Sequence, residues 1–307
     1  MRTLVTGAFG AIGGRIAQGL RSRGHDVVIH GRTLPQDRAA WTEGYEARYC
    51  DLTTMDAAAA RQVVAGCEAI IHLASLDEVE AAAAPEAALA VSGVATGVLL
   101  DACEVEGVKR FIFASTLYVY GQLRGVIEEG SALHAEHPYA RAHLAGEAHC
   151  LRGRGRVRSI VARLANVYGA PPTESAARFS TAHAGFCRSA LRDGEIVLRS
   201  SGEDLRDFVS VQDVAQAFDI LLNAADPAQL FVVGSGVTRS VLSVAETVQA
   251  VCRSHLGLSI PIRRAEKTGA PAASFDLNVA RLRALGYSPH NSMEQETIKF
   301  LEMLSNE

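Results

Sequence analysis

The stretch TGAFGAIGG, residues 6–14, constrains the fold more than any other part of the chain. Before it, RTLVTG reads as a strand ending in glycine. After it, AIGGRIAQGLRSRG has the spacing of a helix closed by Gly24. Gly7, Gly10 and Gly13 therefore occupy a strand-to-helix turn. The first glycine permits the tight turn, the second lets backbone approach a pyrophosphate, and the third lets the helix pack closely on the strand. The helix N-terminus then favours phosphate charge. A glycine triplet alone says little, but at the first turn of an alternating chain it predicts a dinucleotide site.

The alternation continues. DVVIHG, EAIIHLAS and KRFIFAST read as strands, and AAAARQVVAG and VATGVLLDACEVEG as helices. The Ala-rich residues 78–90 can only be helical, and residues 139–151 form a helix entered just after Pro138. RSIVARLANVYG reads as one more buried strand, and the VYG of residues 119–121 is assigned to the sheet. This rhythm predicts an α/β fold, a Rossmann-type doubly wound parallel sheet. Beyond Pro171 and Pro172 the rhythm loosens. The expected division is a dinucleotide-binding domain over 1–168, rejoined by about 207–233. A smaller C-terminal substrate lobe would take 169–206 and 234–307.

With 307 residues, 48% of them apolar, the chain can bury a large core. A net charge of −4 gives no reason to expect a nucleic-acid partner. The basic RGRGRVR at residues 152–158 reads as a solvated loop. Six cysteines without CxxC or His/Cys spacing suit reduced thiols in a cytoplasmic protein, and no metal is expected. The N-terminus lacks the pattern of a signal peptide. No apolar run approaches the ~20 residues that span a bilayer, so no membrane association is expected.

The second strand ends IHGRTL. An NAD site usually has a carboxylate there, bonded to the adenine ribose. Gly31 and Arg32 replace it, and a guanidinium can grip a 2′-phosphate that a carboxylate would repel. The expected cofactor is NADP(H), with NAD(H) possible.

These segments resemble the extended short-chain dehydrogenase/reductases, the NAD(P)-dependent nucleotide-sugar epimerase/dehydratase family, over nearly the whole chain. TGAFGAIGG is similar to that family's cofactor turn, and CDLTT, with Asp51, to the segment contacting adenine. IIHLAS, with Leu73 and Ala74, is like the strand passing beneath the cofactor. FASTLYVYG resembles the strand bearing the catalytic hydroxyl, and RLANVYGAP the segment after the catalytic helix. GEDLRDFVSVQDVAQAF resembles a signature near the substrate phosphates, and ARLRALGYSP the final helix and turn. The resemblance implies a catalytic hydroxyl on Thr116, with Ser115 the neighbour that could be confused with it. It implies a general acid/base at Tyr139, and Asn166 and Arg206 near the phosphoryl groups of a nucleotide-linked sugar. A pairing of Arg206 with Asp204 or Asp207 is the competing reading for that arginine. The resemblance further implies a homodimer formed through the two long helices.

The chain departs from the family pattern at three places. His143 replaces the lysine four residues after the tyrosine, and Ser92 an asparagine. Leu117 and Tyr118 replace the acidic pair of sugar 4,6-dehydratases, so that reaction is not expected. The only lysines are Lys109, Lys267 and Lys299, so no shift of register restores one. Residues 139 and 143 share a helix face, but histidine titrates near ~6.5 and is mostly neutral at pH 7. Three readings stay open: an atypical Thr116–Tyr139–His143 enzyme, proton transfer from another source, or an NADP(H)-binding sensor without turnover.

Overall fold

The computed structural model describes residues 1–33, 40–153, 155–226, 229–265, 274–290 and 292–305. β1 (Arg2–Thr6), α1 (Ala11–Ser22), β2 (Asp26–Gly31), β3 (Glu46–Tyr49), α2 (Ala57–Val64) and β4 (Ala69–His72) open the chain. Next come α3 (Glu78–Ala83), α4 (Pro85–Ala88), a π-helical stretch Leu89–Val94 and α5 (Ala95–Glu106). β5 (Arg110–Thr116), β6 (Gly125–Ile127), α6 (Pro138–Leu151) and β7 (Arg158–Leu164) complete the first half. Local chemistry sets the helix ends. Asp56 caps α2, Asp77 and Glu80 form a capping box on α3, left-handed Gly107 closes α5, and Pro138 opens α6.

The second half contains β8 (Asn166–Tyr168), α7 (Ala182–Arg192), β9 (Ile196–Leu198), β10 (Leu205–Ser210), α8 (Val211–Asn223) and β11 (Leu230–Val233). It continues through β12 (Thr238–Ser240), α9 (Val241–Leu256), β13 (Ile262–Arg264), β14 (Phe275–Leu277), α10 (Ala280–Arg283) and α11 (Met293–Ser305).

Seven strands form one parallel sheet in the order β11-β7-β5-β4-β1-β2-β3. Alternate residues feed its two faces. Val5, Ile29, Ile71, Ile112 and Ile160 join α1 and α8 on one side. Leu4, Val28, Ile70 and Phe111 join α2 and α5 on the other. The direction of winding reverses beside β1, which places a crevice at the C-terminal ends of β1 and β4. A second core gathers α7, α9 and α11 around Phe186, Val244, Val248 and Phe300.

Several expectations need correction. RSIVARLANVYG is not one strand. The Ala165 N–H makes a last bond to the Val233 carbonyl, after which the chain leaves the large sheet. β8 then joins β10 and β12, and the Asn166 side chain donates to the Asp207 carbonyl at 3.1 Å. Of residues 207–233, β10 therefore lies in this three-stranded sheet, and β11 is the strand that returns beside β7. Tyr120 lies in a 3₁₀ turn, Leu117–Tyr120, rather than in a strand, because the Thr116 hydroxyl caps that turn by accepting from the Tyr118 N–H. The helix running from Pro85 to Glu106 is long and apolar enough, by length and composition, to cross a membrane. It packs against α6, and 61% of its most apolar stretch is buried, as in a core helix. In the basic segment 152–158, Arg154 lies outside the described residues; Arg156 and Val157 donate backbone N–H groups to Glu104.

α6 is tied to β7 by a buried ion pair. Arg163 donates to both Glu147 oxygens, at 2.9 and 2.6 Å, with the two side chains 3% and 2% exposed. Ser115 donates to the same carboxylate at 2.5 Å, and Arg163 also donates to the Tyr120 hydroxyl at 2.9 Å. Removing one partner strands a buried charge. Glu147→Leu is expected to cost about 3–5 kcal/mol in urea unfolding, and Glu147→Leu/Arg163→Met to recover most of it. A double variant no more stable than the single one would contradict this account.

Candidate active site

The glycine turn is built by close approach. Gly7 has φ +68°, and a Cβ on it would lie 2.9 Å from the Ala74 backbone. A Cβ on Gly13 would lie 2.2 Å from the Gly7 carbonyl oxygen, so α1 can approach the turn only without a side chain there. Thr6, the last residue of β1, fixes the neighbouring loop. Its hydroxyl oxygen accepts from the Leu73 and Ala74 N–H groups at 3.1 and 3.2 Å. Its proton is therefore left for His72 Nδ1 at 2.7 Å.

β2 ends at Gly31, and an aromatic ring covers it. A Cβ on Gly31 would meet Phe9 Cδ2 at 2.2 Å. Phe9 stacks on Tyr49 with ring centres 6.0 Å apart and tilts against Trp41 at 6.3 Å. Phe9 belongs to the glycine stretch itself, but its aromatic partners come from distant segments, so spacing alone did not reveal it. Arg32 is exposed beside this cluster. Asp51 accepts from the Thr53 N–H and hydroxyl at 2.9 and 2.7 Å. Those bonds, with a contribution from the Arg32 charge, hold its carboxyl below the usual range.

Gly7, Gly10, Gly13, Arg32, Asp51, Leu73, Ala74, Thr116, Tyr139, His143 and Asn166 all line one cleft of about 490 Å³. Arg206 does not. It lines an adjoining cleft of about 460 Å³ that shares Thr116, Tyr118, Leu164, Ala165 and Asn166 with the first. Its guanidinium donates to the Leu205 carbonyl at 2.7 Å. Asp207, one of its two expected alternative partners, instead accepts from the Ser235 and Gly236 N–H groups at 2.8 and 2.7 Å. Ser115 donates to Glu147, whereas the Thr116 hydroxyl lines the cleft with Tyr139 and helps hold its phenol pKa down, which separates the two neighbouring hydroxyls.

His143 lies edge-on to Tyr139, ring centres 4.4 Å apart at 63°, and tilts against Phe113 at 5.6 Å. Neither of its ring nitrogens completes a well-formed hydrogen bond. Burial pulls its pKa down to about 4, opposed by the backbone at Ala114. It is neutral at pH 7 and supplies no charge to the tyrosine. Burial pushes the Tyr139 phenol up to about 12, with Glu78 and Tyr118 acting in the same direction. Arg178 and the Thr116 hydroxyl oppose them. Glu78, Tyr118 and Arg178 were not singled out as members of this site by sequence pattern. Arg178 falls where the regular alternation has ended.

A doubly wound sheet, a glycine turn at its switch point and a threonine–tyrosine hydroxyl pair in the same cleft define a dinucleotide-dependent enzyme of the extended short-chain dehydrogenase type. The model of the NAD dependent epimerase/dehydratase family matches residues 3–234, and the chain belongs to that family. It is 28% identical to UDP-glucose 4-epimerase of Mycolicibacterium smegmatis, covering 100% of this chain and 99% of the relative. It is 26% identical to dTDP-glucose 4,6-dehydratase of Streptomyces niveus, covering 98% and 92%. Among solved structures, MoeE5 in complex with UDP-glucose and NAD superposes with a TM-score of 0.81 at 25% identity, covering 100% and 99% of the two chains.

Buried histidines give the site a pH signature. Burial lowers His30 to about 4, His72 to about 3 and His143 to about 4. In the unfolded chain each titrates near ~6.5. Between those values the unfolded chain binds more protons, so stability rises with pH across the window. Urea unfolding is expected to show full stability above about pH 6.5 and progressive loss as pH falls toward 4. His143→Leu should flatten the slope by up to about 1.4 kcal/mol per pH unit. An unchanged slope would show that His143 is not buried neutral.

Proposed function

We propose that the chain is an NADP(H)-dependent oxidoreductase or epimerase acting on a nucleotide-linked sugar or a related hydroxyl/carbonyl substrate, with NAD(H) as the weaker cofactor. One observation carries this reading: a single cleft joins the glycine turn to Thr116 and Tyr139, and opens into a second cleft holding Arg206. The nucleotide sugars named for the relatives and for MoeE5 support the substrate class. Leu117 and Tyr118, where dehydratases have acidic residues, speak against 4,6-dehydration.

The residues present fit a dinucleotide. The tight cradle of Gly7 and Gly13 leaves backbone open to a pyrophosphate at the α1 N-terminus. Asp51 would hold the adenine end. Arg32 would grip a 2′-phosphate, and no carboxylate ends β2 to repel it. When bound, the nicotinamide supplies or accepts hydride. Thr116 Oγ1 hydrogen-bonds the substrate oxygen, and Tyr139 Oη exchanges its proton with that oxygen. His143, neutral, orients the ribose and the tyrosine ring. Asn166 and Arg206 hold the phosphoryl groups.

The cytoplasmic assignment is supported by six free cysteines. A homodimer through α5 and α6 is supported by exposed apolar side chains, Leu89 and Val94 just before α5, Val105 on α5 and Leu151 at the end of α6. Light scattering checks it, and a monomeric mass would remove it. The neutrality of His143 favours one second reading, dinucleotide binding without turnover.

Titration by nucleotide fluorescence is expected to show NADPH binding more tightly than NADH. Arg32→Ala should weaken NADPH about tenfold or more and leave NADH unchanged. Equal affinities would overturn the cofactor preference, and binding of neither would overturn the function. On a nucleotide sugar that is turned over, Tyr139→Phe should lower kcat at least about 100-fold. Binding without turnover of any nucleotide sugar would support the sensor.

A further inference from the structure

Positive charge is sparse in the dinucleotide cleft. Among its described lining residues, Arg32 and Arg178 are the two that carry a permanent cation. They stand at opposite ends. Arg32 follows β2 beside Asp51, whereas Arg178 is held by Asp77 at the start of α3, and Tyr139 packs against the apolar cluster that includes Ala81 of that same helix.

Arg178 comes from the loop between β8 and α7, not from the tyrosine helix. Its neighbour Phe179 anchors that loop. The Phe179 ring stacks on Phe300 at 6.4 Å and lies under the Arg188 guanidinium at 4.3 Å. Arg178 Nη1 then lies 3.9 Å from Asp77 Oδ2. Asp77 is itself held, because its other oxygen accepts from the Val79 and Glu80 N–H groups at the start of α3. The arginine is thus anchored at its root by the second core and steered at its tip by α3.

The groups facing the Tyr139 phenol can be taken in turn. Thr116 from β5 and Tyr118 from the following turn are neutral hydroxyls. His143 on the same helix is kept neutral by burial. Glu78 from α3 has the opposite sign from the one a phenolate needs. Arg178 alone among these brings positive charge.

We propose that Arg178 supplies the positive charge that the histidine at position 143 cannot, acting through Tyr139 by stabilising its phenolate. As the substrate oxygen takes the phenol proton, the negative charge left on Tyr139 Oη is held by the Arg178 field, and solvent later returns the proton. The cation that tunes the tyrosine thus comes from the loop leading into the second core. This use of the charge rests on the oxidoreductase reading above; the coupling between the two side chains does not.

The test is a titration of the full chain carrying 3-nitrotyrosine at position 139, followed by nitrophenolate absorbance without dinucleotide. Arg178→Met is expected to raise the midpoint by about one pH unit, and Arg178→Lys to restore most of it. In the parent chain, 1 M salt should move the midpoint in the direction of Arg178→Met, because a partly exposed cation is screened. The salt titration reads the same coupling should a substitution disturb the loop. A midpoint unmoved by both Arg178→Met and salt, or a shift that Arg178→Lys does not reverse, overturns the proposal. The NADPH and NADH titrations are run beside it. Binding of neither overturns the oxidoreductase reading whatever the midpoint does. An unmoved midpoint in a chain that binds dinucleotide overturns the role of Arg178 alone.

Discussion

The contact between α1 and the Gly7 carbonyl governs the arrangement of the site. A Cβ on Gly13 would stand 2.2 Å from that oxygen, so the helix sits as close to the turn as backbone allows. The same turn lies against the backbone of Ala74, whose loop is fastened to Thr6. β1, α1 and the end of β4 are thereby held at one spacing, and the crevice between them is set before any side chain is added. Thr116 and Tyr139 then reach this crevice because β5 lies next to β4 and α6 packs on β5. A looser approach of α1 would widen the phosphate end without moving the hydroxyls at the other.

What could be read from sequence was local in character. The strand–turn–helix at the N-terminus, the helix entered at Pro138 and the shared face of Tyr139 and His143 depend on residues a few positions apart. The failures involve distant partners. β8 leaves the large sheet because Asn166 finds Asp207, and Tyr120 sits in a turn because the Thr116 hydroxyl caps it and a buried arginine donates to its phenol oxygen. β3 carries the mostly exposed sequence EARY, with no alternation to betray a strand. At the site, the glycines and Arg32 were picked out by local pattern, and Asp51, Thr116, Tyr139 and Asn166 by the family resemblance; all of them line the one cleft. Phe9 and Arg178 were not picked out, since the meaning of each lies in side chains far along the chain.

His143 shows how position and chemistry can separate. The helix places its ring against the tyrosine, where the family's lysine would stand, yet burial removes the charge that made the lysine useful. A larger electrostatic burden then falls on groups outside α6. The buried Glu147–Arg163 pair, one turn further along α6, does not relieve it. Its cation bonds Glu147, Tyr120 and the Glu129 carbonyl, and it does not line the cleft that holds Tyr139. That pair fixes where α6 lies rather than how its tyrosine titrates.

The ring of Phe9 over Gly31 bears on how such a chain can change over evolutionary time. A carboxylate at the end of β2 is one codon from glycine, but its first side-chain atom would collide with an aromatic ring stacked on Tyr49. Acquiring the acidic residue alone would disrupt the aromatic cluster before any new ribose contact formed. Losing the ring alone would open a void beside Trp41. Each single step disturbs the packing, and only a paired change at positions 9 and 31 places a carboxylate there without a clash. Glycine at position 31 is therefore entrenched by packing against a neighbouring ring, whatever ligand the cleft holds.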